Sequence, residues 1–313
     1  AVPPVPLILV EDTVKALGKL AHCWRERLGE TLVIGLTGTA GKTTVKELLA
    51  QVLSRRGLTA KTHMNLNNQI GLPLSMLAAT GEEAFWVMEA GISHPNDMDE
   101  LGAILEPDLA LILNVGPGHA AGLGDRGTAH YKSKLLAHLA PGGTAIISAD
   151  YPDLAREARA VRQELVFFST SGRQVDYRAA YVVPAGEDKG LFRLWLDGVS
   201  IDVEAPFRGA FGAENVIAVA AVAHRLGLNA EEIAAGRLDL EIPSSENSSD
   251  ETRRLMTSMS HMVSNLRSLV SGVSHSARRL SAYSSSVDKA SAEYEESIQN
   301  FCSSTGEISA AVK

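Results

Sequence analysis

The run Thr37-Gly38-Thr39-Ala40-Gly41-Lys42-Thr43-Thr44 follows the apolar stretch Leu32 to Leu36 and leads into an amphipathic one. Gly38 and Gly41 allow backbone N–H groups to turn inward around an anion, and a helix starting at Lys42 adds the positive end of its peptide dipoles. Lys42 can reach the terminal phosphates of a nucleotide, and the Thr43 hydroxyl can ligate magnesium. Leu36 stands where the strict eight-residue phosphate-loop pattern has Gly, but the strand-loop-helix context is the one the motif requires. The alternative is a Gly-rich turn with an incidental lysine. A second chemical feature is Glu89, which ends the apolar run Phe85 to Glu89. A carboxylate on a buried strand end is costly unless a cation compensates it, so either a magnesium ion or a salt bridge is expected there.

These residues need a scaffold, and the sequence carries the marks of one. Short apolar runs alternate with amphipathic stretches up to about residue 240, the pattern of a parallel sheet flanked by helices. Strands are predicted at Thr31 to Leu36, Phe85 to Glu89, Leu109 to Val115, Thr144 to Ser148 and Leu165 to Phe168. Helices are predicted at Lys42 to Arg56, Ile70 to Ala79, Met98 to Leu105, Thr128 to Leu139 and Asp153 to Arg162. Tyr177 to Val183, Leu191 to Leu196 and Ser200 to Val203 read as antiparallel edge strands with a hairpin turn at Asp197-Gly198, and helices Ala213 to Leu226 and Ala230 to Gly236 follow. The fold class is α/β, a phosphate-loop domain of three layers with a mainly parallel sheet.

Composition changes abruptly after that domain. All 12 prolines lie at or before Pro243, and only Gly272 and Gly306 follow it. From Glu251 to Lys313 apolar residues recur at spacings of three and four, among them Leu255, Met259, Met262, Leu266 and Leu269. That heptad seam predicts a long helical coiled coil or helical hairpin, with a break near Gly272 to Ser276 or Ser284 to Ser286. The expected division is a domain over 1–240, a linker over 241–250 and a helical heptad segment over 251–313. The chain has 313 residues, 45% hydrophobic and 21% charged, with a formal charge of -8, so no basic field collects nucleic acid and a bound triphosphate needs metal ions to mediate. Only Cys23 and Cys302 occur, too few for a disulfide framework. With no basic signal region and no apolar run of about 18 residues, the expectation is a cytoplasmic protein without a membrane span.

The run Gly35-Leu36-Thr37-Gly38-Thr39-Ala40-Gly41-Lys42-Thr43-Thr44-Val45-Lys46-Glu47 resembles the nucleotide loop of the Mur ligase family. Three further blocks agree: Asn65-Leu66-Asn67-Asn68-Gln69-Ile70-Gly71-Leu72-Pro73, Val87-Met88-Glu89-Ala90-Gly91-Ile92-Ser93-His94, and Asn114-Val115-Gly116-Pro117-Gly118-His119. Together they span about Val10 to Gly236. They look most like the member that adds D-alanyl-D-alanine to UDP-muramoyl-tripeptide in peptidoglycan synthesis.

The resemblance implies an ATP-dependent carboxylate–amine ligase with ATP and magnesium as cofactors. It assigns Lys42, Glu89, His119 and Lys132 to catalysis, and Thr43, Glu89, His119 and Lys132 to metal, with Lys132 carried as a carbamate. It gives Thr37 to Thr44 the nucleotide's phosphates and Asn215 its adenine, since an amide offers both a donor and an acceptor to a purine edge. Without the family, His119 is equally a packing or capping histidine, His94 a loop residue, Lys132 a solvated helix-face lysine and Asn215 a residue of a helix's first turn. Two departures stand out: Lys134 where the family has Glu, a second cation able to favour the carbamate or compete for phosphate, and Phe211 where it has His.

Members have three domains, and the resemblance implies that this chain carries the central one, with the heptad segment where the last would begin near Leu238. The expectation is therefore a central domain fused to an unrelated helical segment, with little or no ligase activity alone. UDP-muramoyl-tripeptide and D-Ala-D-Ala would be partners of the parent enzyme, and self-association or a helical partner would belong to 251–313. Two alternatives remain: a folylpolyglutamate-type ligase, against which Val45-Lys46-Glu47 and Asn67-Asn68 argue, and a non-enzymatic interaction module for which the ATP domain is a carrier.

Overall fold

The computed structural model describes residues 8–116, 126–185 and 189–235. The linker 241–250 and the heptad segment 251–313 lie outside them. Val10 to Ala235 fall within one compact unit.

Nine strands make one sheet in the order β2-β3-β1-β4-β5-β6-β7-β8-β9. They are β1 (Leu32–Thr37), β2 (Thr59–Lys61), β3 (Phe85–Glu89), β4 (Leu109–Ile112), β5 (Thr144–Ser148), β6 (Val166–Ser169), β7 (Tyr177–Pro184), β8 (Gly190–Leu196) and β9 (Val199–Ala205). Pairing is parallel from β2 through β7 and antiparallel across β7, β8 and β9. The β8–β9 turn is Asp197-Gly198, both at positive φ (46° and 89°), the backbone that matches strand twist in a two-residue hairpin.

The helices are α1 (Thr13–Glu26), α2 (Lys42–Leu53), α3 (Gly71–Leu77), α4 (Asp97–Leu105), α5 (Gly127–Ser133), α6 (Pro152–Val161), α7 (Gly209–Arg225) and α8 (Ala230–Ala235). Ile34, Leu36, Val87 and Leu111 pack into one core with Val45, Leu48 and Leu49 of α2 and Val216, Ile217 and Ala220 of α7. Their strand neighbours Val33, Trp86, Met88 and Ala110 are just as buried but point the other way. Burial on both faces explains why these strands read as continuous apolar runs instead of alternating ones.

The structure departs from the sequence expectation in several places. Helix α1 and strand β2 had no counterpart in it. Helix α1 is capped by Asp12, whose Oδ1 accepts from the N–H groups of Val14 and Lys15 at 2.9 and 3.0 Å, and it packs on α3 and α4. The single helix expected over Thr128 to Leu139 is instead α5 followed by a 3-10 turn at Lys134–His138. The Ser133 hydroxyl donates back to the Ala129 carbonyl at 2.8 Å, a bond that loosens and bends a helix where it occurs. Helix α7 starts at Gly209, four residues before the expected Ala213.

Register decides the functional geometry. Leu36 of β1 pairs with Glu89 of β3, and Thr37 of β1 pairs with Ile112 of β4. The loop after β1, the carboxylate ending β3 and Asn114 just past β4 therefore emerge side by side at the carboxyl edge of the sheet, where ligands of open α/β sheets are held.

Candidate nucleotide and metal site

The loop leaves β1 at Thr37 and enters α2 at Lys42 through Gly41, which adopts φ +78° as the helix N-cap. No side chain caps the first turn of α2, so the positive end of that helix is left for an anion. The rest of the loop is braced from β4. Asn114 Oδ1 accepts from Thr39 N at 3.0 Å and Ala40 N at 2.8 Å, while its Nδ2 donates to the Ala40 carbonyl at 3.1 Å and to Glu214 Oε2 at 3.2 Å. Those two N–H groups are committed to Asn114, and Thr37 is buried as the last residue of β1. Gly38, Gly41 and the first turn of α2 carry no such commitment to Asn114.

Two lysines converge on this loop. Lys42 Nζ and Lys132 Nζ each donate to the Gly38 carbonyl at 3.0 Å. Lys132, on α5, is 3% exposed. It is therefore not the solvated helix-face lysine that the sequence left open. Burial first, and the neighbouring Lys42 second, pull its ammonium from the ordinary 10.5 down to about 7. The two amines thus meet at one carbonyl beside the start of α2.

Glu89 faces them and is 1% exposed. Its Oε1 accepts from Asn67 Nδ2 at 2.8 Å and its Oε2 from the Thr43 hydroxyl at 3.2 Å, while its own N–H donates to Thr62 Oγ1 at 2.7 Å. Neutral donors meet both oxygens, in place of the salt bridge that was the alternative. Gly91 makes this possible, because a Cβ there would lie 2.8 Å from Asn67 Cγ. A hydroxyl and a carboxylate are hard oxygen donors of the kind magnesium takes, with phosphate and water completing its shell. Among the described residues no group of three or more His, Cys, Asp or Glu side chains is placed to hold a metal.

Asn215 lies at the other side of the loop, and a Cβ on Gly41 would sit 2.5 Å from its Oδ1. It stands in the second turn of α7, since that helix starts at Gly209, so the first-turn alternative does not hold. Phe211, in the first turn, is 77% exposed. Lys134 pairs with Asp99 of α4 at 2.5 Å. His94 is exposed beside Asp97. His119 lies outside the described residues.

Two participants carried no assigned role in the sequence reading. Asn114 is the brace described above. Glu214, 5% exposed, accepts from Asn114 Nδ2 and lies beside the Tyr151 phenol. Burial pushes the Glu214 carboxyl up, and burial together with Glu214 pushes the Tyr151 phenol up to about 12. The available signal was a lone carboxylate inside the apolar stretch Ala213 to Ala223.

Residues 36–223 match the Mur ligase middle domain. The chain is 36% identical over 241 residues to the UDP-N-acetylmuramoyl-tripeptide–D-alanyl-D-alanine ligase of Synechocystis sp., covering 76% of this chain and 50% of the relative. The ligase of the same name from Escherichia coli is 33% identical, with 76% and 52% covered. Among solved structures, MurF from Acinetobacter baumannii superposes with a TM-score of 0.70 at 33% identity, over 76% of this chain and 53% of that one. MurF from Thermotoga maritima, solved in complex with ADP, gives 0.62 at 31% identity, over 73% and 53%. The chain thus spans about half the length of the relatives it matches.

Proposed function

The chain belongs to the Mur ligase family, and from that premise we propose that it is the ATP-binding portion of a ligase adding D-Ala-D-Ala to UDP-N-acetylmuramoyl-tripeptide. The observation that carries the proposal is the meeting of the Gly41-Lys42-Thr43 helix end with the buried Glu89 carboxylate. In such a reaction the tripeptide carboxylate attacks the γ-phosphorus of ATP, ADP leaves, and the resulting acyl phosphate is opened by the D-Ala-D-Ala amine with loss of phosphate. Negative charge spreads over the transferring oxygens, so preorganised positive groups aimed at them lower the barrier. Lys42, released from the Gly38 carbonyl, reaches the terminal phosphates. Thr43 and Glu89 would hold magnesium, which when bound neutralises phosphate charge and aligns it for in-line transfer.

Lys132 is the carbamate candidate. Its lowered basicity leaves much of the amine neutral near pH 7, the form that adds carbon dioxide, and the product is an anion able to approach a second metal, for which the resemblance also offers His119. Asn215, against the turn of the loop, is the adenine candidate. Beyond these residues we retain the division into an ATP domain over 1–240, a linker over 241–250 and a helical heptad segment over 251–313 open to self-association or a helical partner. The spacing of Leu255, Met259, Met262 and Leu266 supports it.

Magnesium-dependent ATP binding, measured on the intact chain and on Lys42→Ala, tests the core of the proposal. Equal affinity in both sinks it. Ligation assays with D-Ala-D-Ala and with glutamate acceptors, after supplementing the missing portions, separate this assignment from a folylpolyglutamate-type one.

A further inference from the structure

Lys46 is fully buried, 0% exposed, in a helix whose other buried side chains are Val45, Leu48, Leu49, Ala50, Val52 and Leu53. An apolar residue would fill that position without the desolvation that depresses the Lys46 ammonium below its ordinary range. What the ammonium does instead is hold backbone: Nζ donates to the Met64 carbonyl at 2.6 Å, with Glu47 3.5 Å away. Glu47 is shared with Lys61 through a short ion pair.

Met64 occupies φ +48°, a left-handed conformation uncommon for a long side chain. It lies in the middle of the segment 62–67, whose two ends both clamp the end of β3. At one end Thr62 Oγ1 accepts the Glu89 N–H. At the other, the Asn67 carbonyl accepts the Gly91 N–H at 2.8 Å and the Asn67 amide donates to Glu89 Oε1. Lys46 also follows Thr43 by three residues on α2, so both lie on the helix face turned toward this segment.

We propose that Lys46 is a positioning residue for the metal-binding carboxylate: by pinning the Met64 carbonyl it fixes the 62–67 turn and so aims Asn67 at Glu89. One oxygen of Glu89 is thereby occupied and the other is kept beside the Thr43 hydroxyl, where magnesium is needed. This rests on the assignment of Thr43 and Glu89 to magnesium. It predicts that Lys46 governs the magnesium-dependent part of nucleotide binding while leaving the phosphate grip of Lys42 alone.

The test compares ADP binding by calorimetry in magnesium and in EDTA, for the intact chain, Lys46→Met, Asn67→Ala and the double variant. Magnesium should tighten ADP binding to the intact chain; if it does not, the magnesium assignment itself fails. Given that gain, Lys46→Met should lose most of it, about 10-fold, with its affinity in EDTA within about twofold of the intact chain. Asn67→Ala should lose the gain to a similar extent, and the double variant should be no worse than Asn67→Ala, because both cut one chain of contacts. A Lys46→Met protein that keeps the gain, or that weakens equally with and without magnesium, overturns the proposal. Should Lys46→Met not fold, Asn67→Ala decides by itself: an undiminished magnesium gain there overturns the proposal, and its loss upholds the link to Glu89.

Discussion

The shape of the phosphate loop rests on Gly41, and replacing it by alanine separates two physical effects. The first is conformational: at φ +78° a Cβ costs about 1–2 kcal/mol relative to glycine. The second is steric, because the new Cβ would lie 2.5 Å from Asn215 Oδ1, well inside the 3.4 Å at which ordinary contact begins. The Asn215 amide must retreat or the N-cap must open, and either moves the first turn of α2 relative to an incoming phosphate. Gly142 supplies the control, since it has φ +77° with nothing within 4 Å of a Cβ and sits in the exposed turn before β5. Gly142→Ala should therefore show the conformational cost alone, a melting drop of about 2–8 °C at ~2–4 °C per kcal/mol for a domain of this size. Gly41→Ala should melt lower still and bind Mg·ADP about 10-fold more weakly or worse, while Gly142→Ala binds as the parent does. Differential scanning calorimetry and titration calorimetry on the three proteins read both quantities. If Gly41→Ala melts and binds like Gly142→Ala, the close packing of loop against Asn215 has no functional weight and the geometry inferred for the site is wrong.

Lys42→Ala should weaken Mg·ATP binding by about 10- to 100-fold, the worth of a charge-assisted contact of ~1.5–3 kcal/mol; an unchanged dissociation constant would remove Lys42 from the phosphates. Lys132 has its basicity lowered from 10.5 to about 7 on folding, so between those values the unfolded chain holds a proton that the folded one does not. In buffer free of carbon dioxide, the stability difference between the parent and Lys132→Met should accordingly rise with pH above 7, by about 1 kcal/mol per unit, and level off below it. Urea melts from pH 6 to 9 check this, and a flat difference would mean Lys132 is not desolvated. Glu214→Ala takes the acceptor from the buried Asn114 amide and should cost about 1–3 kcal/mol, whereas Glu214→Gln should stay within about 1 kcal/mol of the parent. Equal melting of those two variants would show that the buried hydrogen bonds are not what Glu214 contributes.

The central strands were legible because a strand buried on both faces must be apolar at every position, and Leu32 to Leu36, Phe85 to Met88 and Leu109 to Ile112 are nearly so. Helix α1 escaped because its burial falls on small residues, Gly18 and Ala21, which carry little apolar signal among the charges of Lys15, Lys19, Arg25 and Glu26. Strand β2 is three residues long and too short to show a period. For the candidate site, the loop motif pointed to Lys42 and Thr43 and the strand end to Glu89, and β1–β3 register brings Thr43 and Glu89 into contact. Asn114 and Glu214 were not legible as a pair. They are 100 residues apart and meet only because α7 folds back across the sheet, a long-range outcome that no local pattern encodes. The bracing of the loop has the same origin, since the Thr39 and Ala40 N–H groups are satisfied by a side chain arriving from the end of β4.

Strand order carries one more consequence. From β1 the chain builds β3 and β2 on one flank and only then crosses to lay down β4 and everything beyond it on the other. A nucleotide seated at that reversal, as proposed above, would be held by α2 from the centre, by magnesium at Glu89 from the first flank and by Asn215 from an element that follows the second. Nucleotide held there would add a tie between flanks already joined through β1 and the packing of α2 on α7, so resistance to unfolding should climb with nucleotide concentration.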